Sequence, residues 1–218
     1  MIVYDIASKE INGAVELSAA VRAETARKEE FRIWFRMENW DRLLPITGDP
    51  FLASFLIPCM YVGESLRIEA PVSQKLLDSA ANIQALISRW YKDFNPVNLE
   101  CPQTHHGIAD SHRSSRTGVC FSLGVDSWYS TLKHRDAITD CILIQGFDIR
   151  ASETQLWNKT FASASHAANV MGKRLIVASS NMRRCIDMSK PTCKWGKPYP
   201  GVFWRPTHGS FLAATALC

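Results

Sequence analysis

The clearest periodic pattern in the chain lies at residues 73–91. There Leu76, Leu77, Ala80, Ile83, Ile87 and Trp90 recur at helical spacing, while Lys75, Asp78, Gln84 and Arg89 fall largely outside that stripe. Such a stripe predicts an amphipathic helix with one face against a core. Two earlier segments alternate instead. Residues 15–22 and 30–38 set apolar side chains at every second position, as in Phe31, Ile33, Phe35 and Met37, and predict strands of an antiparallel opening. Between these strands and the long helix, Gly48, Asp49 and Pro50 have the character of a helix start, and the apolar stretch 51–61 predicts a helix that Pro58 kinks or ends early. Residues 63–69 read as one more short strand.

The rhythm changes after residue 117. Short strands near 118–122, 141–145 and 174–178, whose centres at 119–121, 141–144 and 175–177 are fully apolar, alternate with helical stretches, one from about Ser127 and one over 153–171. Strands without a polar face are buried on both sides, so this pattern predicts a parallel sheet covered by helices. Right-handed crossovers order the three strands 3-2-1. The segment 101–116 is rich in Ser, Thr, Gly and Pro and has little periodicity, which predicts a linker. The chain therefore divides into a smaller α+β unit at 1–100, the linker, and an α/β unit at 117–218. The first unit is expected to pack against the second sheet without completing it.

Charge sharpens this division. Residues 1–110 hold 11 Lys/Arg against 15 Asp/Glu, a net of −4, whereas residues 111–218 hold 14 against 6, a net of +8. The second half suits a polyanion. The acidic first half argues against a nucleic-acid module, because phosphate contacts dominate such binding. No apolar run is long enough to span a bilayer, and the N-terminus lacks the layout of a signal peptide, so a soluble cytoplasmic protein is expected. The seven cysteines are irregularly spaced without a Cys-x-x-Cys, which fits neither a disulfide framework nor a zinc knuckle.

The candidate chemistry sits after the first strand of the basic half, where 118–130 reads Gly-Val-Cys-Phe-Ser-Leu-Gly-Val-Asp-Ser-Trp-Tyr-Ser. A buried strand runs through a small polar loop into a helix, and the free N–H groups of a helix start favour an anion. Gly124 allows close backbone approach, the Ser122 and Ser127 hydroxyls can donate to phosphate oxygens, and Asp126 suits Mg²⁺ held between itself and a phosphate. A capped turn without any ligand is the plain alternative.

The order Phe-Ser-Leu-Gly-Val-Asp-Ser at 121–127 resembles the Ser-Gly-Gly-x-Asp-Ser signature of the PP-loop ATP pyrophosphatase superfamily, which includes asparagine synthase and the queuosine precursor synthase. The resemblance implies a Rossmann-like nucleotide-binding sheet of the HUP type. It also implies an ATP-dependent, AMP-forming ligase that adenylates a small-molecule carbonyl or carboxylate for attack by an amine or ammonia, with ATP and Mg²⁺ as cofactors. On that pattern Ser122, Gly124 and Ser127 contact pyrophosphate, with Leu123 and Val125 completing the loop and Asp126 holding the metal. Leu123 departs from it, standing where the first glycine of the pair is usual. If that glycine serves a positive φ, leucine weakens phosphate binding.

The looser part of the resemblance covers 117–218. Gln145 and Gly146, after the second strand, are placed to read the adenine edge, and Asp148 to accept from a ribose hydroxyl, although Asp148 reads equally as a turn residue. Arg183 or Arg184, after the third strand, offsets pyrophosphate charge or belongs to a solvated helix face. His208 is a candidate acid, base or phosphate donor, or merely a helix cap. His105, His106 and His112 fit no metal motif. Cys185 and Cys193 raise sulfur transfer, with inert thiols as the simpler account.

Doubly wound nucleotide folds use about five parallel strands, and only three are found here. The sequence thus predicts an incomplete sheet, a C-terminal truncation, and an ATP site whose far wall is missing unless a partner chain supplies it. Weak nucleotide binding and little or no turnover follow for the isolated chain. Two alternatives accompany the ligase reading: a tRNA-modifying PP-loop enzyme and a non-catalytic nucleotide-binding remnant.

Overall fold

The computed structural model describes residues 1–24, 30–102, 104–105, 116–186, 199 and 204–218, with His105 and Trp204 described by backbone alone. Its centre is an eight-stranded mixed sheet. Strands β1 (Ile2–Ile11), β2 (Ala14–Arg22) and β3 (Glu30–Glu38) form an antiparallel meander. On one side of the meander, β4 (Leu66–Ile68) runs parallel to β1. The small β5 (Val72–Ser73) lies outside this sheet, and β6 (Leu99–Glu100) extends it beyond β4. A two-stranded sheet joins β5 to β7 (Thr104–His105). The basic half supplies β8 (Gly118–Cys120), β9 (Asp140–Gln145) and β10 (Arg174–Ser180), which are parallel and ordered 10-9-8. This is the 3-2-1 order that right-handed crossovers dictate.

One expectation is corrected at the centre of the sheet. β3 pairs antiparallel with β10, Met37 opposite Ala178 and Phe35 opposite Ser180. The meander therefore joins the parallel strands directly, where the sequence predicts a separate unit packed beside them. Asn181 fastens the junction, accepting from the Trp34 N–H at 2.9 Å and donating to the Arg32 carbonyl at 2.8 Å. Two of the backbone groups that β3 would otherwise leave open are thereby satisfied. The linker at 101–116 lies mostly outside the described residues.

The helices are α1 (Asp49–Val62), α2 (Gln74–Trp90), α3 (Val125–Lys133), α4 (Thr154–Val170), the short α5 (Met182–Ile186) and α6 (Trp204–Ala216). α1 continues through Pro58 to Val62, against the early stop that Pro58 suggests. It is buried along almost its whole length, with Phe51, Phe55 and Met60 fully enclosed, and α6 packs against it through the contiguous core that includes Phe211 and Ala214. That core also takes Leu17, Ile33 and Phe35 from the meander and Ala178 from β10. A smaller core covers the opposite face of the parallel strands, where Phe121, Cys141 and Leu143 meet Ala164, Ala167 and Ala168 of α4. Alternate β9 residues thus enter two different cores: Cys141 and Leu143 one, Ile142 and Ile144 the other. Burial on both sides is the physical reason for its unbroken apolar sequence. No helix among the described residues is long and apolar enough to cross a membrane.

Candidate functional site

The residues that end β8 set the course of the loop behind it. The Phe121 N–H donates to the Ile142 carbonyl at 2.7 Å, and the buried Phe121 ring meets Trp128 of α3 edge-on, centroids 5.0 Å apart. Between these anchors Ser122, Gly124, Val125 and Asp126 are exposed, and Ser127 is half-buried. Gly124 is the N-cap of α3 and no side chain caps the helix. The N–H groups of the first turn are consequently open to solvent. The Gly124 carbonyl accepts both the Trp128 N–H at 3.0 Å and the Ser127 hydroxyl at 2.8 Å. Ser127 must give up the second bond to donate to a phosphate. Ser122 Oγ lies 3.4 Å from the Gly124 N–H, at the long end for a hydrogen bond.

Leu123 has φ +65°, the left-handed region. The backbone therefore follows the course a glycine would take, at a cost of roughly 1–2 kcal/mol for a residue bearing a Cβ. Packing compensates in part, because the Leu123 side chain joins the core of Phe121, Trp128 and Val119. The loop keeps a glycine-like shape while carrying a leucine anchor.

The turns after β9 and β10 share this carboxyl edge, and close contacts hold them together. Gly146 has φ +96°, and a Cβ there would fall 2.2 Å from the Ser180 carbonyl oxygen, so no other residue fits. Its N–H donates to the Ile149 carbonyl at 2.9 Å. Phe147 is buried against Phe211, and its carbonyl accepts from Arg183. Exposed Asp148 lies 3.5 Å from His208 Nε2, an ion pair when the imidazole is protonated. The fold thus gathers Gly146, Asp148, Arg183 and His208, while the loop at 122–127 ends the adjacent strand. Neighbouring strands lie ~4.8 Å apart. The Asp126 carboxylate has no hydrogen bond or ion pair among the described residues, and no group of three or more potential metal ligands occurs among them. Cys185 is half-buried on α5; Cys193, His106, His112 and the His105 side chain lie outside the described residues.

A second polar constellation, missed in the sequence, occupies the amino ends of the same strands. Asp140 is 2% exposed. Its carboxylate accepts from Arg116 through Nε at 2.9 Å and also Nη2, from Arg174 Nε at 2.6 Å, and from the Thr139 hydroxyl at 2.6 Å. Burial alone would raise its pKa, but the Arg116, Thr139 and Arg174 hydrogen bonds together hold it well below the usual carboxylate range. Arg116 is correspondingly pushed up by its hydrogen bond to Asp140. In the sequence these three residues read only as charges bordering apolar runs. The register, with Arg174 opposite Asp140, is what brings them together.

No protein-family model, no curated protein and no solved structure matches this chain.

Proposed function

We propose that the chain is an adenylating enzyme of the PP-loop type. It binds ATP at the loop 122–127, cleaves it to AMP and pyrophosphate, and activates a small-molecule carbonyl or carboxylate for attack by an amine or ammonia. The observation that carries this reading is an uncapped helix start, preceded by a turn that exposes Ser122 and Gly124, at the carboxyl edge of parallel strands. Ligands of open α/β sheets collect at that edge, and open N–H groups at a helix start suit phosphate. The glycine-like φ of Leu123 supports it too, since a strained residue persists only where its surroundings impose it.

In this reading the N–H groups of α3 and the Ser122 hydroxyl hold the β and γ phosphates. Asp126, exposed and without a competing cation among the described residues, holds Mg²⁺, which commonly binds one or two carboxylates together with phosphate oxygens. Bound Mg²⁺ supplies charge neutralisation for the departing pyrophosphate. An acceptor oxygen attacks the α-phosphorus, the α–β bridging bond breaks, and pyrophosphate leaves. Arg183 and His208 flank the nucleotide from the β9 side, where Gly146 backbone and Asp148 meet adenine and ribose. β8 has no partner on its outer edge among the described residues, and Val125, Tyr129 and Leu132 of α3 are exposed. A partner chain on that edge would give the site its second wall.

The test is incorporation of labelled pyrophosphate into ATP, with AMP release followed by phosphorus NMR. Exchange that is lost in Asp126→Ala supports the reading. A purified chain that binds Mg²⁺-ATP yet shows no exchange with any carboxylate supports the binding-only alternative, which the open outer edge of β8 favours.

A further inference from the structure

The amino ends of the parallel strands carry more than an ion-pair cluster. Ile142 of β9 and Ile176 of β10 face the large core, and the register sets Arg174, Asp140 and Gly118 level with one another across three strands. Here the packing leaves a cavity of ≈ 240 Å³, whose apolar lining includes Met37, Leu44, Ile142 and Ile176 and whose charged lining is Arg116, Asp140 and Arg174.

Two guanidinium groups, those of Arg116 and Arg174, converge on the one Asp140 carboxylate. Asp140 is fully engaged by Arg116, Thr139 and Arg174. Arg174 reaches it through Nε alone and lies over the Trp40 ring, 5.3 Å from the centroid. Its two Nη groups have no hydrogen-bond partner among the described residues, and the side chain is 47% exposed. Cys218 also lines the cavity, and burial pushes its thiol pKa up, so the side chain stays neutral.

An apolar chamber with one unmatched guanidinium fork suits a ligand with one planar anionic group on an apolar body. The volume equals that of about eight waters at ~30 Å³ each, which suits a body of about eight to ten non-hydrogen atoms. The geometry points to a binding site for a small monocarboxylic acid with an aromatic or short aliphatic body, its carboxylate on the Nη groups of Arg174. β8 separates this site, at Gly118, from the start of the candidate nucleotide loop, at Ser122, by roughly 13 Å of strand. The inference therefore does not rest on the adenylation reading.

Benzoate and its uncharged isostere benzamide are the probes, titrated into isotopically labelled full-length protein while the Trp40 indole resonance, assigned with Trp40→Phe, is followed. Benzoate is expected to shift that resonance saturably, and benzamide to bind at least tenfold more weakly. Arg174→Gln, which leaves the Arg116–Asp140 pair in place, should weaken benzoate on the order of tenfold to a hundredfold, the range for a lost charged hydrogen bond, and leave benzamide unchanged. Ile176→Phe, which fills the cavity, should abolish both. Should Arg174→Gln not fold, the benzoate–benzamide pair and Ile176→Phe decide. Equal binding of the two probes overturns the inference, as does no saturation at tens of millimolar or shifts confined to residues 122–127.

Discussion

At the amino ends of β8, β9 and β10 a buried carboxylate has every neighbour it needs, whereas at their carboxyl ends the carboxylates of Asp126 and Asp148 are exposed. The same three strands thus end in two kinds of polar surface. One surrounds a buried carboxylate with donors on every side, so removing that carboxylate leaves its arginines without their anion. The other offers open N–H groups, hydroxyls and carboxylates that solvent or a ligand must satisfy. The contrast separates residues that hold the sheet together from residues available for chemistry, and each end can be broken on its own terms.

The largest effect is expected at the carboxyl end, from Gly146→Ala. The added Cβ meets the Ser180 carbonyl at 2.2 Å in a left-handed backbone, and neither can move without opening the turn. A loss of about 3 kcal/mol or more in urea unfolding follows from strain and overpacking together. Asp140→Ala should come next, at about 2–3 kcal/mol, below the full value for a buried pair because both arginines are half-exposed. Acid titration sharpens this. The Asp140 carboxyl titrates lower in the folded chain than in the unfolded one, so its stabilisation is complete above the unfolded value and is lost as pH falls through the folded one. Wild type and Asp140→Asn should begin to converge in stability below about pH 4 and stay apart above it.

Two smaller effects test the open end as a ligand site. Asp126→Ala should weaken Mg²⁺-ATP on the order of tenfold by calorimetry while leaving metal-free pyrophosphate nearly unchanged, because the carboxylate acts through the cation. Equal losses for both ligands would remove the metal role. Leu123→Gly should change stability by less than about 1 kcal/mol, since relief of left-handed strain offsets the lost burial. Pyrophosphate affinity should rise in the same variant, with no gain in AMP formation.

Much of the architecture is legible as periodicity. Phe31, Ile33, Phe35 and Met37 define β3 at its observed limits, the stripe from Leu76 to Trp90 defines α2, and the apolar runs at 118–122, 141–145 and 174–178 locate the parallel strands. Periodicity gives a strand its faces but not its neighbours. The pairing of β3 with β10 was therefore invisible, and so was the junction of the two halves. β1 was hidden for another reason: its register with β2 shifts between Tyr4 and Ala7, which breaks the alternation. The strand-to-helix turn at 122–127 was legible because its residues are consecutive. The Asp140 clamp was not, because its members come from three separated segments and meet only through strand register. Leu123 read as a departure from a glycine pattern, and its positive φ needed the fold to be seen.

The pairing of β3 with β10 also bears on how the chain is made. Trp34 and the Asn181 that caps it are 147 residues apart in sequence. At about 5–20 residues per second, translation leaves the outer edge of β3 without its partner for roughly 7–30 s after β3 emerges. During that interval the meander and α1 can collapse together while presenting an open row of backbone donors and acceptors, the kind of surface on which strands of other molecules add. The nascent N-terminal half is then the stage of synthesis most in need of a chaperone. Ribosome-bound chains halted before residue 174 should be captured by holdases far more than chains halted after the whole of β10 has emerged.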